Sequence, residues 1–215
     1  MKQFAIWGSA GHAKVLNDII KSNDGRVVAL FDRQEVTAAI PDVPIFYGDE
    51  GFETWCNAWD RASPIFALVA IGGARGKDRH SIQNKMQAQG FRIGDIVHQR
   101  ATVSENAKLG SGIQVLAQAL IAADCDIGEA CIINHHANVD HECILGHGVH
   151  IAPGAVLCGC VRVGDYAMVG AGAVVLPRID IGAGAVIGAG AVVTKNVPAG
   201  STVVGNPARE IDSSL

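Results

Sequence analysis

Residues 151–193 read IAPGAVLCGCVRVGDYAMVGAGAVVLPRIDIGAGAVIGAGAVV, and every sixth residue of that stretch is aliphatic: Ile151, Leu157, Val163, Val169, Val175, Ile181, Ile187 and Val193. The register runs back without a slip through Leu145, Val139, Ile133, Ile127, Ile121, Val115, Leu109 and Val103 to Val97, 17 positions in all. Four residues after each aliphatic stands a second small or apolar residue, as at Ala101, Ala107, Cys143, Ala155, Ala191 and Val197, and glycine often follows the aliphatic directly. A six-residue unit cannot bury its own apolar side chain, so such units must wind into a coil in which each turn covers the last. The expected product is a parallel β-helix.

Composition agrees with that reading. Of the 215 residues 49% are hydrophobic, enough for a core, while aromatic residues are 5% and glycines number 26. This suits an interior too narrow for large rings and corners that need positive φ. The formal net charge of −4 and the lack of a basic run argue against nucleic acid as the main partner and give no electrostatic basis for membrane attraction. The apolar runs are too short or too glycine-rich to span a bilayer, and no charged segment leads into a long apolar stretch at Met1. The expectation is a cytoplasmic protein acting on a small molecule. Three of the six cysteines, Cys125, Cys131 and Cys143, fall at the fourth position after an aliphatic and read as small core residues. Cys158 and Cys160 lack the spacing and the second pair of a structural zinc site, so no metal is expected.

The first 95 residues follow another rule. An apolar run, Phe4 to Trp7, stops at Gly8-Ser9-Ala10-Gly11-His12 and is followed by helical spacing through Val15, Leu16, Ile19 and Ile20. A second strand, Val27 to Phe31, ends on Asp32; a third, Ile65 to Ile71, ends on Gly72-Gly73 before a helix from about Lys77 to Gln89, and Arg92 to Val97 reads as a last strand. Alternating strands and helices predict a small Rossmann-like parallel sheet over residues 1–95, with the repeats occupying 96–215. Ligands of such sheets bind beyond the carboxyl ends of the strands, where Gly8 to His12, Asp32-Arg33 and Gly72-Gly73 lie. Backbone N–H groups at a helix start favour phosphate oxygens, and a carboxylate about 20 residues after the glycines can accept ribose or base hydrogens. The turn lacks the full dinucleotide spacing, and the repeats supply no hydride chemistry, so no nicotinamide cofactor is expected.

Five histidines fall between 135 and 150: His135, His136, His141, His147 and His150. In the repeat register Val139 and Cys143 are structural, and Asp140, His141 and Glu142 lie between them, free to serve chemistry. The glycine turn near the start, Ile133-Asn134 followed by Asp140-His141-Glu142-Cys143, and the closing Val203-Val204-Gly205-Asn206-Pro207-Ala208-Arg209 together resemble the bacterial nucleotide-sugar N-acetyltransferases of the hexapeptide-repeat class, over nearly the whole chain. These include enzymes for UDP-linked 4-amino sugars and for GDP-perosamine, and the GDP-perosamine branch is the nearer match.

That resemblance implies a left-handed β-helix with three hexapeptides per coil, hence about 5 to 6 coils. It implies acetyl-CoA as co-substrate and a homotrimer with sites between subunits, serving O-antigen and lipopolysaccharide synthesis. By matched positions His141 resembles the general base, Glu142 the residue that supports it, and Asn134 a side chain that positions the amino sugar. Ala10, Gly11, His12, Asp32, Arg33 and Gly72 match the nucleotide-sugar site. His150 resembles a contact to acetyl-CoA, and Gly159, Ala171 and Ala189 fall where the family offers backbone along the pantetheine groove. Adjacent strand residues point to opposite faces, so Glu142 reaches His141 only if the chain turns there.

An amine attacking a thioester must first lose a proton, and a positioned histidine supplies roughly 10²–10⁴ in rate. No Ser or Cys stands beside His141 as a plausible covalent nucleophile, since Cys143 belongs to the core register, and this favours direct transfer. Within acyl transfer, UDP-linked 4-amino sugars and O-acetylation of a hydroxyl are the alternatives. In a different class stands a zinc-dependent enzyme like the γ-type carbonic anhydrases: His136 and His141 resemble two of its three ligands, but position 100, near the third, is arginine.

Overall fold

The computed structural model of the protein describes residues 1–211. Its contacts divide into two units, residues 1–71 with 81–96, and residues 72–80 with 97 onward. The short segment 72–80 thus clusters with the repeats, although the helix it opens continues into the first unit.

In the first unit β1 (Lys2–Trp7), α1 (Gly11–Ser22), β2 (Gly25–Asp32), β3 (Ile45–Tyr47), α2 (Gly48–Ala58), β4 (Ile65–Val69), α3 (Gly76–Ala88) and β5 (Arg92–Ile93) follow in order. The strands form one parallel sheet in the order β3-β2-β1-β4-β5. β1 runs apolar because both its faces are covered, and Phe4 to Trp7 are all buried. Trp7, Phe31, Phe52 and Phe91 make edge and stacked ring contacts in the core, with Ile82 and Met86 of α3 packed among them. Two elements escape the sequence reading. β3 and α2 carry no long apolar period, only Ile45-Phe46-Tyr47 and the two buried residues Phe52 and Cys56. The expected strand from Arg92 to Val97 also divides: Arg92-Ile93 pairs with β4, while Ile96-Val97 enters a sheet of the repeats.

The repeats build three sheets of parallel two-residue strands, one of which is extended at its end by Thr202–Val204 and, antiparallel to it, Arg209–Ile211. Each strand pairs with the one 18 residues on: Leu120 with Asn138, Ile132 with His150, Ile144 with Arg162. Three hexapeptides therefore make one coil, and the sheet that contains Asn138 has six strands. The aliphatic of each hexapeptide points inward and stacks on its counterpart one coil away, as Val139 does on Ile121 and Leu157. Cys125, Cys131 and Cys143 fill the same core, and burial pushes the Cys131 thiol up to about 12. Val97 and Leu109 are partly exposed because they belong to the first coil, which no earlier coil covers.

Two residues turn each corner between strands, and at most corners beyond the first two the second sits in the left-handed region: Gln118, Asp124, Ala130, His136, Glu142, Cys160, Tyr166 and Arg178 all have φ near +60°. A side chain there costs strain, which the surrounding coil must over-determine. Glycine does the same at Gly148, Gly154, Gly172, Gly184 and Gly190. The corners stack into three columns. One carries His135-His136, Pro153-Gly154, Ala171-Gly172 and Ala189-Gly190; the second carries His141-Glu142, Gly159-Cys160 and Pro177-Arg178; the third carries Glu129-Ala130, His147-Gly148 and Asp165-Tyr166.

Candidate active site

At the second corner the imidazole of His141 and the carboxylate of Glu142 face one another, with Nδ1 3.0 Å from Oε2. The corner makes this possible: Glu142 has φ 58°, so the chain turns between the two residues and the strand rule that would send them to opposite faces does not apply. The hydrogen bond with His141, then one from the Cys160 thiol, hold the Glu142 carboxyl below the usual carboxylate range. A carboxylate only accepts, so the ring proton rests on Nδ1 and Nε2 is left with its lone pair. The ring leans over Gly159 of the next coil, where a Cβ would lie 2.5 Å from Cε1. Asp140 holds the main chain of the corner through its side-chain oxygen, which accepts the His141 N–H at 2.8 Å.

The sequence reading missed one group here. The nearest thiol along the chain, Cys143, belongs to the core, but coil stacking brings Cys160 beside the pair, its Sγ 3.6 Å from Glu142 Oε2. The signal was present as the 18-residue offset between Glu142 and Cys160. The thiol donates to the Glu142 carboxylate. An open groove of about 700 Å³ runs along this corner and the charged face next to it, lined by Asp124, Glu142, Cys160, Arg162 and Arg178 among others.

Asn134 and His150 meet elsewhere. His150 is the outward residue of its strand, yet only 6% exposed, because segment 72–80 covers it. Its Nδ1 accepts the Gly73 N–H at 2.9 Å, and the side-chain amide of Asn134 lies 3.1 Å from Nε2. Gly72 sits against the same ring. Both ring nitrogens are thus engaged, a geometry that sequence spacing could not give. His135 follows Asn134 at the first corner, and burial, then the neighbouring His136 and His98, lower its pKa. Ala171 and Ala189 stack in the same column, 36 and 54 residues past His135. His136 lies at this first corner and His141 at the second, so the pair suggested for zinc is not brought together within the chain.

The candidate set therefore falls on two corners. Asn134, Ala171 and Ala189 lie at or beside the first, and His141, Glu142 and Gly159 at the second. One extended hexapeptide separates them, on the order of 15–20 Å.

In the first unit the strand ends converge as expected. Gly8, with φ 103°, lies so close to Ala70 that a Cβ would approach its carbonyl to 2.8 Å. Helix α1 begins at Gly11 with Ala10 at the cap position, no side-chain cap and no acidic residue in the first turn, and nothing crowds the Cβ position of Gly11. That is a helix start open to an anion. His12 is half-buried in the same turn. Asp32 accepts the Ser9 N–H at 2.8 Å and the Gln34 N–H at 3.2 Å, so it shapes the glycine turn as well as offering lone pairs outward. Arg33 lines a cavity of about 430 Å³ with Trp7, Gly48, Asp49, Ser81 and Lys85.

Comparison with known proteins places this architecture. Residues 3–86 match the PglD N-terminal domain and residues 160–195 match the bacterial transferase hexapeptide of six repeats. The chain is 33% identical over 224 residues to GDP-perosamine N-acetyltransferase of Escherichia coli O157:H7, covering 100% of this chain and 98% of that one. Among solved structures it matches a histidine-to-asparagine variant of perosamine N-acetyltransferase from Caulobacter crescentus in complex with CoA and GDP-perosamine, with TM-score 0.87, 32% identity and coverage of 99% and 98%. It also matches the acetyltransferase domain of PglB from Neisseria gonorrhoeae in complex with acetyl coenzyme A, with TM-score 0.85, 30% identity and coverage of 98% and 99%. The chain belongs to the hexapeptide-repeat nucleotide-sugar N-acetyltransferases, acyltransferases that use acetyl-CoA, and its coil is the left-handed β-helix of that family.

Proposed function

We propose that the protein transfers the acetyl group of acetyl-CoA to the 4-amino group of a nucleotide-linked amino sugar, GDP-perosamine in the first instance, with His141 as general base. The observation that carries the reading is the His141–Glu142 pair, which leaves Nε2 bare over Gly159 at an open corner. The sugar amine, mostly ammonium near neutral pH, sheds one proton to solvent, and its nitrogen attacks the thioester carbonyl carbon. His141 Nε2 takes the second proton as the C–N bond forms; the C–S bond then breaks and the imidazolium returns the proton to the departing CoA sulfur. Glu142 stabilises the imidazolium in between, and a backbone N–H holds the developing oxyanion. Transfer is direct, without an acyl-enzyme.

The nucleotide sits at the strand ends of the first unit, its phosphates on the start of α1 and its ribose or base near Asp32 and Arg33, with Ala10, His12 and Gly72 alongside. Asn134 orients the amino sugar. His150, Gly159, Ala171 and Ala189 serve acetyl-CoA.

The division of these residues between two corners supports a homotrimer. The face between the corners presents Leu120, Asn138, Val156, Val174 and Val192 outward, all half-buried, while the face beyond the second corner presents Lys108, Asp126, Arg162 and Asp180. Packing the apolar face around a three-fold axis sets the second corner of one copy against the first corner of the next, giving three equal sites. Asn138 Oδ1, buried without a hydrogen-bond partner, would find one there. CoA release from acetyl-CoA, measured with GDP-perosamine, UDP-4-amino sugars and hydroxyl acceptors, with and without a chelator, tests the reading. Turnover with GDP-perosamine that a chelator does not touch is the expected result. Release only with hydroxyl acceptors, or only with metal, overturns it.

A further inference from the structure

We propose that Arg79 is a positioning residue of this enzyme, acting on bound substrate through His150 without touching it. The proposal rests on the functional reading above, in which His150 and Asn134 belong to the site. Arg79 is 1% exposed, and its guanidinium spends its donors on main-chain carbonyls of two stacked coils: Nε on Ala130 at 2.7 Å, and one terminal nitrogen on Gly148 at 2.7 Å and Val149 at 3.4 Å. Gly148 and Val149 immediately precede His150. Burial lowers the Arg79 pKa to about 10, which leaves it charged at neutral pH. A buried cation held by several carbonyls is costly to displace, so the segment that carries it is fixed to the coil at that point.

The same segment carries Gly73, whose N–H meets His150 Nδ1. Between the two contacts Gly76 lies so close to Gly148 that a Cβ on either would collide with the other's backbone. His150 is thereby held twice by one stretch of nine residues, through Arg79 on the carbonyls of the two residues before it and through Gly73 on its ring. The ring in turn faces the Asn134 amide. Loosening Arg79 frees the ring and lets Asn134 wander.

The test uses Arg79→Met, Arg79→Lys, His150→Ala and the double variant Arg79→Met with His150→Ala in the full-length protein. KM and kcat are measured for acetyl-CoA and GDP-perosamine, and the ¹⁵N shifts of the His150 ring are read by NMR. Arg79→Met is expected to raise the KM values by about 5- to 10-fold, roughly the effect of one lost hydrogen bond, while kcat stays within about 2-fold and the pH profile does not move. Arg79→Lys, which keeps a buried donor, lies between. The decisive result is the double variant, which should match His150→Ala alone if Arg79 acts through His150. Additive effects, or unchanged KM values in a folded Arg79→Met, overturn the proposal. The NMR readout stands apart from turnover: an unchanged His150 Nδ1 shift in Arg79→Met also overturns it, even if the wild-type protein acetylates none of the sugars tried.

Discussion

His141 and Glu142 are consecutive residues, yet their side chains form a hydrogen-bonded pair, Nδ1 to Oε2, 3.0 Å apart. Neighbours in a strand could not do this; neighbours across a corner with φ 58° at the second residue can. The pair is exposed, with side chains 53% and 61% accessible, so chemistry and folding are separable at this point.

Replacing His141 by Asn should therefore lower kcat by at least about 10² while the melting temperature stays near that of the wild type, since the side chain contributes nothing to the core. Stopped-flow or steady-state CoA release at saturating substrates measures the first, calorimetry the second. Near wild-type kcat would remove His141 as the base.

The pH dependence follows from Glu142. Its carboxyl is held below the ordinary range, so it stays ionised, and goes on accepting the His141 ring N–H, further into acid than a free carboxylate would. By the same sign, the stability Glu142 contributes is present above its unfolded value and is lost as pH falls through its lowered folded value. Glu142→Gln, which has no carboxyl to protonate, should run at lower kcat across the pH profile and lose the part of the acid fall-off that Glu142 carries.

Gly159→Ala is expected to fold normally and to lose about 10-fold or more in kcat. The new methyl meets only the far end of the His141 side chain, which can swing away at little cost, but that swing takes Nε2 from its place. Unchanged kcat would mean that the ring works from another rotamer.

The two substrates should respond differently to single changes. Asp32→Ala should weaken nucleotide-sugar binding by roughly 1.5–3 kcal/mol, partly through the glycine turn it holds, and leave acetyl-CoA affinity nearly unchanged. The family resemblance, which makes His150 a contact to acetyl-CoA, implies the converse for His150→Ala, a loss confined to acetyl-CoA. Its contacts with Gly73 and Asn134 change that expectation: His150→Ala should weaken both ligands. Isothermal titration of each variant with each ligand decides it.

Shared sites make a further outcome measurable. If the site joins two copies, mixed trimers of His141→Asn and Asn134→Ala chains contain some sites with both residues intact, and co-expression should restore activity that neither variant has alone. Val174→Asp, placed on the apolar face, should reduce both assembly and turnover. Light scattering that finds a fully active monomer would end this line.

The coil was legible because its signal repeats: a six-residue aliphatic period over Val97 to Val193 has few competing explanations, and the 18-residue strand pairing bears it out. Short β3 and α2 were not, since three half-buried residues and an eleven-residue helix with two buried positions leave almost no periodic trace. For the site, sequence nominated residues but could not place them. Asn134 and His141 are seven apart along the chain and on different corners of the coil; Glu142 and Cys160 are 18 apart and in contact. The grip of Arg79 on Gly148 lies in a contact 69 residues long and leaves no local mark.

The stacking of corners every 18 residues gives this chain an unusual arithmetic of insertion and deletion. Removing or adding six residues anywhere among the repeats keeps every aliphatic inward, and the coil survives, but everything downstream rotates by one corner. Such an event before His141 would carry it to a different edge of the prism, intact and misaddressed. Only changes in multiples of 18 lengthen the coil while keeping its chemistry on the same edge. A lineage can therefore vary the length of this domain in large steps with its activity preserved, whereas the small steps, harmless to folding, erase function.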